Sequence, residues 1–326
     1  MRTRRLPAAV VALAVAVSLV ACGGQREPEA GKAGTDGGRL TIATGNTTGV
    51  YYQLGGALAS LISSKVDGYR ATASETGASV QNVQGLVAGN YDIAFSLGDT
   101  AADAVKGEHS FKSPQDVVAL TRLYPNYTQV AVRASAGITK IADLKGKRVS
   151  TGSPNSGTEV IARRLLEAAG LDAARDVTAQ RLGLPESVDA MKSGSIDALV
   201  WSGGLPTGGI TDLTTSLGKD VKLIPITDLL PALQKTYGTI YAEGAIPAAT
   251  YKQPGDVATI IVPNVLLVRK NMSDELAEKL TKVIYENKDA LVQVNAAAKG
   301  ITVENAAKTD PVPLHPGAKK AIDSMS

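Results

Sequence analysis

Residues 148–166 read RVSTGSPNSGTEVIARRLL: a short β run at Arg148, Val149 and Ser150, a polar turn of small residues, and then a helix. The helix is the clearest part. Val160, Ile161, Leu165 and Ala168 share one face at helical spacing, Arg163 and Glu167 stand four apart on the other, and Gly170 is placed to end it. Residues 40–59, LTIATGNTTGVYYQLGGALA, give the same order of strand, glycine turn and helix. The echo continues downstream, where residues 86–98, LVAGNYDIAFSLG, are answered by residues 191–203, MKSGSIDALVWSG. Each reads as a helix end, a glycine stop, an aspartate and a buried strand. Thr44 precedes Asp92 by 48 positions and Thr151 precedes Asp197 by 46. The predicted fold class is therefore α/β, with two lobes of similar construction, each a mainly parallel sheet covered by helices.

In such sheets ligands collect beyond the carboxyl ends of the strands, where loops and helix N-termini converge. Both Thr-Gly turns occupy that place, so lobes that face each other would line one cleft with both. Residues 257–268 form two apolar β runs broken at Pro263-Asn264. A helical tail follows, with Ser273 as cap and Leu276, Leu280, Val283 and Ile284 as its apolar stripe. This tail has no glycine turn of its own and is assigned to the first lobe. The chain would then cross between lobes twice, near Arg133 and near Gly244, giving a first lobe of residues 39–133 and 245–326 and a second of 134–244.

The start of the chain reads as an address and a tether. Residues 1–21 hold Arg2, Arg4 and Arg5, then an apolar run over 8–20 that is shorter than the roughly 20 residues of a membrane-crossing helix, and so read as an export signal. Cys22 is the only cysteine, which excludes an intramolecular disulfide. Residues 19–23, LVACG, resemble the lipobox of bacterial lipoproteins, in which that thiol is diacylated and the signal is cut before it. Acyl chains bury about 0.8 kcal/mol per CH₂, so more than one chain implies lasting attachment to a membrane surface. Residues 22–38 then read as a flexible leash, because residues 23–38 contain no large apolar side chain.

Composition removes several function classes. Without the three arginines of the export signal, 31 basic residues face 31 acidic ones, with no basic runs, which argues against a nucleic-acid partner. Two histidines, His109 and His315, leave no zinc cluster and little scope for a Ser-His-Asp triad. No metal or cofactor is expected. Neither G-x-S-x-G nor G-x-x-x-x-G-K-[ST] occurs, although Ser216 and Lys219 match S-x-x-K and leave a secreted serine hydrolase as one alternative. His109 reads as a surface residue.

What the sequence concentrates is uncharged hydrogen-bonding groups on glycine turns. Tyr51, Tyr52, Phe95, Tyr124, Tyr127 and Trp201 fall beside the same loops, with core packing the alternative reading for Tyr52 and Phe95. Ser156-Gly157-Thr158 at a helix start can aim free N–H groups and a hydroxyl at a carboxylate, or simply cap the helix. Asp99 reads as a cap of its own helix, and Arg122 as a candidate positive charge for a second carboxylate or a solvent-facing residue.

From about Leu40 to Gly317 the chain resembles a TAXI-type solute receptor of the tripartite ATP-independent periplasmic (TRAP) transporter group. The passages that carry the likeness are Thr44-Gly45 with Gly49-Val50-Tyr51-Tyr52 and Leu54-Gly55-Gly56, then Gly77-Ala78-Ser79-Val80-Gln81-Asn82. Residues 141–149 (IADLKGKRV), Ser156-Gly157-Thr158 and residues 312–317 (VPLHPG) complete it. The resemblance implies a type II periplasmic-binding-protein fold, closure on a small organic anion such as a glutamate-like compound, and delivery to an integral-membrane TRAP permease. It also implies a site in which Thr44, Gly45, Asn46, Thr48 and Tyr51 of the first lobe meet Ser153, Asn155, Ser156, Gly157 and Thr158 of the second, with Trp201 to Pro206 shaping one wall. Trp201 stands where family members often place small apolar residues, so the indole is expected to narrow the pocket. The chain is expected to act as a monomer, captures a small carboxylate or amino acid on this reading, and has service to an ABC permease or a signalling partner as its alternative.

Overall fold

In the computed structural model, which describes residues 38–326, ten strands share one continuous ladder. They are β1 (Gly38–Ala43), β2 (Tyr69–Ser74), β3 (Ile93–Leu97), β4 (Val117–Arg133), β5 (Arg148–Ser150), β6 (Thr178–Gln180), β7 (Ala198–Gly203), β8 (Val221–Leu223), β9 (Ala242–Ile246) and β10 (Val257–Arg269). The helices are α1 (Val50–Lys65), α2 (Ser79–Val87), α3 (Gly98–Lys106), α4 (Gly157–Ala168), α5 (Leu184–Ser193), α6 (Gly208–Leu217), α7 (Leu230–Tyr237), α8 (Ala248–Tyr251), α9 (Asp274–Glu286), α10 (Lys288–Val294), α11 (Val303–Ala306) and α12 (Pro316–Asp323). The strand order is β2-β1-β3-β10-β4-β7-β5-β6, with β8 added to β4 and β9 to β10. Gly38, read from sequence as the end of the tether, opens β1. The export signal and Cys22 lie outside the described residues.

Two parallel blocks flank a central antiparallel pair. β1 pairs in parallel with β2 and β3, β5 does so with β6 and β7, and β10 runs antiparallel to β4 between the blocks. These are the two α/β lobes expected. Their repeat holds at atomic detail: the Thr41 N–H donates to Asp92 Oδ2 at 2.9 Å, and the Arg148 N–H donates to Asp197 Oδ2 at 2.9 Å. An arginine then seals each aspartate, Arg269 on Asp92 at 3.2 Å and Arg148 on Asp197 at 2.5 Å.

The two crossings exist, but they lie inside strands rather than at the expected ends. Residues 264–268 of β10 pair with β3, whereas its residues 257–261 pair with β9; residues 127–132 of β4 pair with β7. The chain therefore passes between lobes within β4 and within β10, not near Arg133 and Gly244. Pro125 faces Pro263 there, and the register shifts between Pro263 and Val265. Proline has no N–H to give the ladder, so the paired prolines weaken the sheet where the lobes part.

Each lobe has its own core. In the first, Ile42, Leu54, Ile62, Phe95 and Leu266 are buried with Leu276, Leu280, Val283 and Ile284 of α9. Ser273 caps α9 by accepting the Leu276 N–H. In the second, Val149, Ile161, Leu165, Leu166 and Val200 pack together. Burial of each such side chain stabilises the lobe by roughly 1.5–3 kcal/mol.

Candidate functional site

The turn before α1 and the turn before α4 face each other across a cavity of about 30 Å³. The first lobe lines it with Gly45, Asn46, Tyr51 and Ser79, and the second with Ser156, Gly157, Thr158, Trp201 and Ser202. The central strand β4 adds Tyr124 and Asn126. Three helix starts converge here, those of α1, α2 and α4. Gly49 and Ala78, which precede α1 and α2, offer no side-chain cap, which leaves N–H groups at both helix starts open to the cavity apart from that of Gln81, taken by the Asn155 carbonyl. Ser156 does cap α4, accepting the Glu159 N–H at 2.9 Å.

The lobes are shut. Asn46 Oδ1 accepts from Ser153 Oγ at 3.3 Å and from the Leu184 N–H at 3.1 Å, and the Gln81 N–H donates to the Asn155 carbonyl at 3.0 Å. Gly157 permits the closest approach. A Cβ on it would stand 2.5 Å from Leu97 Cδ1 and 2.7 Å from Ser79 Oγ. Opposite, the Trp201 indole lies against Gly49, where a Cβ would meet it at 3.3 Å.

The cavity wall is mostly apolar and uncharged, with a few polar groups set into it. Tyr51 donates to Asn264 Oδ1, and Asn264 Nδ2 donates to the Tyr124 carbonyl and to Asn126 Oδ1, each at 2.8 Å. Burial pushes the Tyr51 phenol well above its ordinary range, so it stays protonated. Phe95 backs Tyr51 at 5.1 Å between ring centroids and belongs to the core. Two buried hydroxyls on the wall, Tyr124 Oη and Ser202 Oγ, have no hydrogen-bond partner, at 0% and 6% residue exposure. Among the described residues, the wall holds no Lys, Arg, His, Asp or Glu.

Several expected residues stand elsewhere. Thr44 is buried and spends its hydroxyl on the Ser74 carbonyl at 2.6 Å. Thr48, Ser153 and Asn155 flank the cavity without lining it, and Pro206 is exposed, its carbonyl accepting from Asn295 at 3.3 Å. Tyr52 is 37% exposed rather than packed in the core. Arg122 is not at this site. It lies half-buried in a separate cavity of about 790 Å³ with Lys106 and Lys308, because its strand position faces away from the cleft. His109 is a surface residue, 3.9 Å from Asp103. Ser216 and Lys219 are exposed, and Ser216 donates to Asp212 at 3.1 Å instead of meeting a base.

Asp99 is not the cap expected, because α3 is capped at Leu97 and Asp99 lies within its first turn. It accepts the Thr100 N–H at 2.6 Å, but it also accepts from Tyr241 Oη at 2.6 Å and pairs with Arg164 of the other lobe at 3.4 Å. Arg164 reaches Asp103 too, at 2.6 Å, and is only 2% exposed. Burial alone would push its guanidinium down, yet Tyr241, Asp99 and Asp103 together outweigh that and hold it above the ordinary arginine range. Burial pushes the Asp103 carboxyl up against the pull of Arg164. Sequence reasoning missed this group, although the signal was there: Arg164 is four residues from Val160 and three from Ile161, on the face whose spacing demands burial. It also missed Ser79 and Asn126 as lining residues; the Gly77-Ala78-Ser79 turn carried the same small-residue signal as the other two.

A closed cavity between two α/β lobes joined by two crossing strands defines the class, a type II periplasmic-binding-protein fold. Solved structures agree. A binding protein component of an ABC phosphonate transporter from Pseudomonas aeruginosa is 14% identical over 82% of this chain and 81% of its own, with a TM-score of 0.55. A Bordetella bronchiseptica RB50 protein is 22% identical over 87% and 80%, with a TM-score of 0.54. An ancestral arginine-binding protein bound to arginine is 17% identical over 81% and 100%, with a TM-score of 0.51. These likenesses concern the fold. The model of the NMT1-like family matches residues 42–322, and the chain belongs to that family.

Proposed function

We propose that this chain is an extracytoplasmic solute receptor that closes two lobes over a small organic anion or amino acid and passes it unaltered to a membrane transporter. The observation that carries the reading is the shut interlobe cavity, with two uncapped helix starts and two unpartnered buried hydroxyls on its wall. Closure is then a population shift, since a ligand touches both lobes only in the shut form. Thr44, Thr48, Ser153, Asn155 and Pro206 serve as supports around the lining residues. The receptor acts as a monomer, exported by residues 1–21 and held to the membrane by lipid on Cys22.

For the transporter, an ABC-type importer is the preferred reading, supported by the similar fold described as an ABC phosphonate transporter component. Delivery to a TRAP permease is the second, favoured by the TAXI-like passages in the sequence. ATP dependence of uptake in membrane vesicles given the receptor supports the first, and uptake driven by an ion gradient without ATP supports the second. The receptor reading itself is tested by calorimetric titration with carboxylates and amino acids beside small-angle scattering. Binding with compaction is expected. Absence of both with every compound would overturn it.

A further inference from the structure

We propose that the cavity selects a short monocarboxylate that carries no ammonium group, an inference that rests on the receptor reading above. The mostly apolar wall carries a small set of donors. First-turn N–H groups of α1 and α2, apart from that of Gln81, are uncapped, the start of α4 faces them, and Tyr124 Oη and Ser202 Oγ are buried without partners. Each of these groups can give a proton to a carboxylate oxygen, and the three helix dipoles favour negative charge at the same point.

A carboxylate to pair with a cation is missing from the wall. Asn46 Oδ1 already accepts two bonds and Asn126 Oδ1 accepts Asn264. Asp99, the acid whose charge is felt at Tyr51, is 1% exposed and committed to Arg164, Tyr241 and Thr100. An α-ammonium would therefore be taken out of water to face helix N-termini with no carboxylate beside it. A second carboxylate fares little better, because the wall has no arginine or lysine to pair with it. Size disfavours the longer acids: the shut cavity of about 30 Å³ is well below the roughly 150 Å³ that takes a benzene-sized molecule, so even a short acid must widen it and succinate or glutamate must widen it more, while Leu97, Ala78 and Trp201 offer an apolar face for a short uncharged body.

The test is calorimetric titration of the chain with L-lactate, pyruvate, propionate, L-alanine, succinate and L-glutamate, each with scattering. L-lactate and L-alanine differ only by hydroxyl for ammonium. Lactate or pyruvate is expected to bind at least a hundred-fold more tightly than alanine or glutamate, and at least ten-fold more tightly than succinate. Ser202→Ala and Tyr124→Phe are each expected to weaken the best monocarboxylate about five- to ten-fold with an unchanged unfolding temperature. Alanine, glutamate or succinate binding as tightly as lactate, with compaction, overturns the ligand class and leaves the receptor reading standing. No binding and no compaction with any of the six overturns both.

Discussion

The lobes meet along two seams of opposite chemistry. Around the cavity, contact is neutral and light: Asn46 to Ser153 and Leu184, Gln81 to Asn155, and Gly157 pressed on Leu97 and Ser79. Between α3 and α4 it is ionic and buried, with Arg164 held between Asp99 and Asp103, bonded to Tyr241 Oη and 3.9 Å from the centre of the Tyr237 ring. Charge is placed where the lobes hold each other, and neutral donors are kept where a ligand must come and go.

Four experiments would break or sharpen that contrast. The largest effect is expected from Arg164→Met, which leaves two buried acids facing each other. Removing one partner of a buried pair costs about 3–5 kcal/mol, to be read by chemical denaturation, and adding Asp99→Asn and Asp103→Asn should recover much of it. A loss below about 1 kcal/mol would mean the ionic seam does not hold the lobes. Next comes Gly157→Val, a wedge in the neutral seam. Overpacking of about 1–3 kcal/mol against the shut form should lower ligand affinity ten-fold or more and enlarge the scattering radius, while each lobe keeps its core.

Asn46→Ala removes an acceptor shared by two bridging bonds, each worth about 0.5–1.5 kcal/mol, so affinity should fall by less than the wedge causes. An effect as large as that of Arg164→Met would erase the distinction between seams. The smallest expected effect lies within one lobe. Hydrogen bonds from Arg148 hold the Asp197 carboxyl below the usual carboxylate range, so its contribution is full above the unfolded pKa of about 3.9 and is lost as pH falls through the depressed folded value. The stability gap between the wild type and Asp197→Asn should shrink as unfolding is measured from pH 6 down to pH 3; a gap that is constant with pH would show that the pair contributes nothing.

Much of the fold was legible because it is local. A strand, a glycine turn and a helix lie within twenty residues of one another, and their repetition with Asp92 and Asp197 at nearly equal offsets exposed the two lobes. Of the turn residues that the resemblance implied, Gly45, Asn46, Tyr51, Ser156, Gly157 and Thr158 line the cavity, while Thr44, Thr48, Ser153 and Asn155 do not. What failed was non-local. The crossing points depend on which partner each end of β4 and β10 finds, and nothing near Arg133 or Gly244 records that β7 and β9 will pair there. The Asn264 contacts with Asn126 and Tyr124 span about 140 positions and leave no periodic trace. Arg122 misled because it was read as a strand-end residue, whereas it lies inside the long β4, and Arg164 was readable from helical spacing alone.

The paired prolines have a mechanical consequence. β4 and β10 are hydrogen-bonded to each other on both sides of Pro125 and Pro263, so the two connections behave as one ribbon with a soft crease across it. On the receptor reading, such a ribbon lets the lobes swing about that crease more readily than twist or slip past each other.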